Sequence, residues 1–470
     1  MKLTIENFGP IKKPVIIEPK SLTLFCGANN TGKTYALYVL NALMDSRFSA
    51  NFDFAKTHAK GLYQEKHVTL NLDDVTGAVA VRHAEKNLVQ GLKDILPRFF
   101  VAENALTDAA KFSIALDTID SLTHGSITVQ SRSRADGIDE GVIHYRVNDT
   151  KQIIFSITGN WESASQVEQA LNRLLMPLYL PLRVGRDFLL PAERSGLNLF
   201  FRELNSRRAA LLRHVTSQTL DTAELLKDII ISRYPQPIHD YIEFMNSQPE
   251  IKREVSEFAD LATWLQKEVL KVKYKVDRYG DISVAPLRSV ASVGLHLGSS
   301  TVKTFFGLWS YLNHLARKGD WLMIDEPELN LHPQNQRIIA RLLAELVNRG
   351  IRVVVSTHSD YMVREWGNLI MLGSQDFEGR DALAHQYGLT QPQWLSANQV
   401  SACEFDNGGA KNMLVTAESG IKTDLFDASI QSLNAAAQDI YFARQAVFND
   451  DTDESEVQIS KPRQKKKSTK

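Results

Sequence analysis

Short apolar runs alternate with longer amphipathic stretches along this chain, a pattern that predicts a parallel sheet with helices on its faces. Lys2–Ile5 and Val15–Ile17 read as short strands, and Leu22–Cys26 as a fully apolar, buried one. A helical pattern follows over Tyr35–Leu43 and another over 75–98. Ser126–Val129, Val142–Tyr145 and Ile153–Ile157 then read as strands separated by turn signals. A helix is predicted at about 164–176, and Phe188–Arg194 reads as a strand delivering polar residues to a loop.

From about 197 to 270 the spacing is helical over Phe200–Val215, Ala223–Ile231 and Lys252–Val272, with Pro235 and Pro237 expected to break it. No heptad is sustained for long, so this is a compact insert and not a long coiled coil. A hairpin is predicted for Lys271–Val276 and Asp281–Ala285 around Tyr279-Gly280. Two further apolar strands, Trp321–Ile324 and Ile351–Val355, flank an amphipathic helix carrying Ile338, Ile339, Leu342, Leu343 and Leu346, stopped at Gly350. The tail switches from acidic (Asp450 to Glu456) to basic (Lys461 to Lys467) and is expected to be disordered.

Composition narrows the class. At 470 residues and 43% hydrophobic the chain has room for two or three cores. A net charge of −1 supplies no general field for nucleic acid, so DNA contact would need a local basic patch such as Arg207, Arg208 and Arg213 on the insert. A solvated helix face is the simpler explanation of those arginines. Two cysteines, Cys26 and Cys403, are too few for a disulfide framework or a zinc site. With no apolar leader and no run near the roughly 18 residues that span a bilayer, a cytoplasmic protein without a membrane anchor is expected.

The chemistry sits at strand ends. Gly27-Ala28-Asn29-Asn30-Thr31-Gly32-Lys33-Thr34 follows a strand and opens a helix. Glycines let backbone N–H groups turn toward phosphate oxygens, and the helix N-terminus adds its positive end. Lys33 is placed to reach the β- and γ-phosphates of ATP, and the Thr34 hydroxyl to ligate Mg2+. Trp321–Asp325 ends in paired carboxylates: Asp325 suits Mg2+, and Glu326 suits polarising an attacking water. Ile351–Val355 delivers Ser356-Thr357-His358-Ser359, where His358 could reach the γ-phosphate or be merely structural. Ser299 and Ser300 precede an amphipathic helix with Val302, Phe305 and Phe306 on one face. Helix caps have that composition, as do anion sites.

These pieces, in this order, resemble the ABC-type ATPase head of the SMC/Rad50/OLD branch. The matching strings are GANNTGKT (27–34) for Walker A, LGSS (297–300) for the signature, WLMIDEPE (321–328) for Walker B and STHS (356–359) for the switch histidine. Asn330–Pro333 resembles the D-loop region, and Phe188–Arg194 the approach to the Q-loop, although no glutamine stands there. Ser299-Ser300 also depart from the family's LSGGQ. The resemblance is specific over 1–45 and 285–365.

The resemblance implies an α/β ABC-type P-loop ATPase head with a helical insert and a disordered charged C-terminal tail. Its N-terminal lobe is expected over 1–185, a Q-loop-like segment and insert over 186–270, and a C-terminal lobe over 271–425. A helical segment (426–448) and the tail (449–470) follow. It implies ATP hydrolysis at a site shared by two heads, with Gly27 to Thr34 of one chain and Ser299 and Ser300 of another binding ATP, and hence a homo-oligomer. The wide spacing of Lys33 and Asp325 differs from transporter subunits, and the short insert from SMC and Rad50 proper. Single-chain heads with DEPELNLHP resemble the ATPases of the Septu (PtuA) and PARIS (AriA) anti-phage systems and of OLD nucleases. The only late DxD, Asp451-Thr452-Asp453, lies in the tail, so a separate effector nuclease is expected. A RecF- or SbcC-like DNA-repair ATPase acting directly on DNA is the alternative.

Overall fold

The computed structural model describes residues 1–102, 105–117, 124–132, 138–201, 234–374 and 377–457. They fall into two units, Met1–Ile421 and Lys422–Lys470. The first is built on a six-stranded sheet in the order Gly409–Asn412, Val400–Asp406, Leu22–Gly27, Arg352–Thr357, Trp321–Asp325 and Asp187–Leu190. All neighbours in it are parallel except the antiparallel edge strand Gly409–Asn412.

Every residue of Leu22–Gly27 and Trp321–Asp325 is buried, as expected of parallel strands covered on both faces. Successive side chains alternate between those faces. Phe25, Met323, Val354 and Phe405 join a core with the helix Lys33–Met44. Leu24, Ile324 and Val355 are equally buried outside that cluster, and Pro333–Asn348 packs on the Arg352–Thr357 strand. Register then decides where the chemistry goes. Thr357 pairs with Cys26 and Asp325 with Ser356, so these strands end level. Gly27, Asp325 and His358 therefore leave one carboxyl edge of the sheet, where ligands bind in open α/β sheets.

Two antiparallel sheets complete the N-terminal half. One runs Val15–Ile17, Lys2–Glu6, Lys111–Ala115, and the other His67–Asn71, Gln152–Gly159, Ile138–Val147, His124–Arg132. An aromatic cluster ties the first of these to the start of the Lys33–Met44 helix. Phe8 meets Phe100 edge-on at 5.1 Å, and Phe100 stacks on Tyr35 at 5.5 Å.

Pro235 and Pro237 stand at the start of a helix, Gln236–Asn246, where proline's missing N–H is unneeded in a first turn, and residues 234 and 235 before it are non-helical. Two local expectations are corrected. The helical pattern from Lys252 becomes helix only at Ala259, with turns before it. The C-terminal helix runs Asp424–Val457, past the expected end at 448 and into the acidic run. The helices expected within 202–233, with Arg207, Arg208 and Arg213, and the tail from 458 lie outside the described residues. The described insert residues from 234 to 270 belong to the same unit as the sheet. Among the described residues no helix is long and apolar enough to cross a membrane.

Candidate active site

The phosphate loop owes its path to backbone that only certain residues can adopt. Gly27 has φ 136° and Gly32 φ 104°, and Asn30 also lies at positive φ. A Cβ on Gly27 would sit 2.1 Å from the Phe405 carbonyl oxygen, and one on Gly32 would sit 2.6 Å from the Ile11 side chain. The helix that follows carries no side-chain N-cap, which leaves its first N–H groups for an anion. Lys33 is only 5% exposed. Its Nζ donates to the carbonyls of Gly27 (3.1 Å) and Ala28 (2.5 Å). Burial pushes its pKa down, although Asp325 and Glu326 oppose the shift.

Thr34 and Asp325, far apart in sequence, meet here: Thr34 Oγ1 donates to Asp325 Oδ2 at 2.9 Å. Ser356 Oγ donates to the other carboxylate oxygen, Oδ1. Burial raises the Asp325 carboxyl to about 6, against the pull of both hydroxyls. A hydroxyl and a carboxylate side by side at a phosphate loop are hard oxygen donors, which fit Mg2+.

Glu326 follows at φ 52°, in the left-handed region, half-exposed over the cleft. Its Oε1 lies 3.1 Å from His358 Nε2, and His358 Nδ1 lies 2.7 Å from the Gly27 carbonyl oxygen. Both ring nitrogens thus face acceptors, an arrangement that suits the doubly protonated ring. The contact lowers the Glu326 pKa and raises that of His358.

Asn29 to Thr34, Glu326 and His358 line one cleft of about 440 Å3, with Pro10 and Tyr35 at its side. Gly27 and Ala28 supply the carbonyls beneath Lys33, and Asp325 lies behind Thr34. Ser299 and Ser300 are not among the residues lining that cleft. Both are exposed, and Ser299 caps the helix Ser300–Ser310, its Oγ accepting from the Val302 N–H at 3.3 Å. Thr301 and Thr304 tie that helix to Asn330 of the D-loop-like turn.

Three site residues were not singled out from the sequence. Arg194 is buried, with its guanidinium on the carbonyls of Asp325 and Glu326. Glu328 Oε1 accepts from Thr357 Oγ1 (2.8 Å) and the His358 N–H (2.5 Å), while its buried Oε2 has no partner. Ser356 completes the Asp325 contacts. The sequence signal was there: a charged pair directly after an apolar strand in Pro191-Ala192-Glu193-Arg194, and a third carboxylate in Asp325-Glu326-Pro327-Glu328.

Comparison with known proteins adds a family. The model described as "AAA ATPase domain" matches residues 1–170 and 189–363. No curated protein matches the chain. Among solved structures, the Smc head bound to the C-winged helix domain of ScpA is 12% identical, covers 88% of this chain and 97% of its own, and has a TM-score of 0.32. The Smc head domain with an extended coiled coil, bound to the C-terminal domain of ScpA derived from Pyrococcus furiosus, is 12% identical over 93% of this chain and 98% of its own, TM-score 0.30. The SMC head domain from Thermotoga maritima is 10% identical over 88% and 98%, TM-score 0.27.

Proposed function

The chain belongs to the AAA ATPase domain family, and we propose that it is an ATP-hydrolysing head whose two half-sites are completed by a second copy. The observation that carries this reading is the meeting of Thr34 with Asp325 and of Glu326 with His358 over one phosphate loop. In this reading Lys33 leaves its loop carbonyls for phosphate oxygens, and the first turn of Lys33–Met44 offers N–H groups to the same anion. Mg2+, for which Thr34 and Asp325 are the candidate ligands, supplies charge neutralisation at the phosphates. Glu326, released from His358, takes the proton of the attacking water, and His358 hydrogen-bonds the γ-phosphate. Ser299 and Ser300, exposed beside Leu297 at 69% exposure, serve the nucleotide of the partner head.

Two fuller roles follow from such a head. In one the ATP-bound pair holds DNA directly, in the manner of a RecF- or SbcC-like ATPase. In the other it is the cytoplasmic sensor of an anti-phage system and restrains or releases a separate nuclease. We place the first ahead because it needs no second protein beyond the head pair.

The test is Glu326→Gln. This variant keeps the shape of the carboxylate but not its basicity, so ATP binding persists and kcat falls about 10²–10⁴-fold. Light scattering with ATP and Mg2+ should show a dimer or larger assembly that the wild type holds only transiently. ATP-dependent retention of duplex DNA by that assembly supports direct action, and its absence favours the regulator. Turnover at the wild-type rate would remove Glu326 from the reaction.

A further inference from the structure

We infer that Arg194 is the positioning residue for the catalytic carboxylate: its guanidinium holds the peptide of Glu326 in the conformation that aims the side chain into the cleft. The inference rests on the reading of Glu326 as the base.

The strand Asp187–Leu190 lies beside Trp321–Asp325, with Leu190 paired to Ile324. The segments that follow the two strands therefore leave the sheet side by side. Arg194, 2% exposed, spans them. Its Nη1 donates to the carbonyls of Pro191 (2.9 Å) and Asp325 (2.6 Å), and its Nη2 to that of Glu326 (2.6 Å). Among the described residues it makes no ion pair with a carboxylate. A buried guanidinium whose three hydrogen bonds all go to backbone carbonyls serves to fix a path of chain.

The path it fixes is a costly one. Glu326 is a non-glycine residue at φ 52°, a conformation that persists only where surrounding contacts impose it. Here the imposition comes from both sides. The Glu326 N–H donates to the Ser356 carbonyl at 3.0 Å, and the Asp325 and Glu326 carbonyls accept from the two arms of Arg194. Released from that fork, the turn can relax to negative φ and swing the carboxylate out of the cleft. The guanidinium presents two nitrogens at a fixed spacing in one plane, one to each carbonyl, whereas a lysine in its place ends in a single, closer nitrogen that cannot occupy both positions.

The experiment is a double-mutant cycle in the full chain, with Arg194→Lys and Glu326→Gln singly and together. Arg194→Lys should lower kcat at least about 30-fold while the ATP Kd stays within about threefold. In the Glu326→Gln background the same change should move kcat less than about threefold, because the group it positions is already gone. A general structural role predicts losses that multiply, and that result overturns the inference. So does Arg194→Lys with wild-type kcat. Arg194→Ala gives a second readout: added guanidinium should restore turnover in it but not in Arg194→Ala/Glu326→Gln. If neither Arg194 variant folds, the residue is a fold determinant and the positioning role fails. Glu326→Gln at the wild-type rate instead overturns the reading of Glu326 itself.

Discussion

The two halves of the proposed ATP site contrast within one chain. Around the phosphate loop, residues from three strand ends already touch: Thr34 on Asp325, His358 on Glu326, and Lys33 folded over its own loop. The signature half is ordered too, but turned outward, with Ser299 occupied as a helix cap and Ser300 exposed. Glycine-imposed backbone and buried polar contacts over-determine the first half. The second is held from behind, by two hydrogen bonds to Asn330 and by Asn198 and Tyr274 on its backbone carbonyls, while its serines stay in solvent. The difference is what the proposed shared site requires: chemistry prearranged on one chain, and a presenting surface left open for another.

The heaviest blow to the first half is Lys33→Ala. It removes the lysine ammonium from the phosphate cradle, and a buried charged partner of this kind is worth about 2–5 kcal/mol, or roughly 30- to 5000-fold in Kd. Calorimetric titration with ATP measures it directly. Affinity retained at the wild-type level would mean that the loop is not a phosphate site.

A smaller effect probes the second half, and with it the comparison itself. Ser300→Arg should leave each chain folded, since Ser300 is an exposed first-turn residue. Yet it should abolish turnover by blocking the partner's nucleotide. Mixing it with Lys33→Ala chains creates pairs in which one composite site is intact. At equal ratios about half the dimers are mixed and each regains one of two sites, so roughly a quarter of the wild-type rate should return. No recovery at any ratio would place the whole site within one chain.

What the sequence disclosed follows the same division. The phosphate loop was legible because its chemistry is local: a few residues set the backbone, the cation and the hydroxyl. The paired carboxylates and His358 were legible because apolar strands announce where their ends fall. For Arg194 the strand end showed a charged residue but not its role, since its partners lie 131 and 132 positions away and are backbone carbonyls, which no residue type advertises. Glu328 escaped for a related reason: its role depends on a neighbouring strand bringing Thr357 and His358 alongside. Pro235 marks a helix boundary, and the helix it adjoins, Gln236–Asn246, begins directly after it. The acidic run after 448 read as tail, yet the helix continues to Val457.

The smallest effect concerns the Glu326–His358 pair in nucleotide-free protein. Its side chains are 30% and 27% exposed, so the contact is worth only about 0.2–1 kcal/mol. Its pH dependence nevertheless has a definite sign. Glu326 raises the His358 pKa, so that part of the stabilisation is full below the ordinary histidine value of 6.5 and is lost as pH climbs through the raised value. His358 lowers the Glu326 pKa, so its part is full above the ordinary carboxylate value of 4.5 and is lost as pH falls through the lowered one. The two overlap between 4.5 and 6.5. Wild type should therefore melt about 1–2 °C above His358→Gln in that window and converge with it in mildly alkaline buffer. A difference that stays flat from about pH 5 to 9 would mean that His358 is neutral throughout, holding Glu326 by an uncharged hydrogen bond, so that opening this half of the site costs the same at every pH.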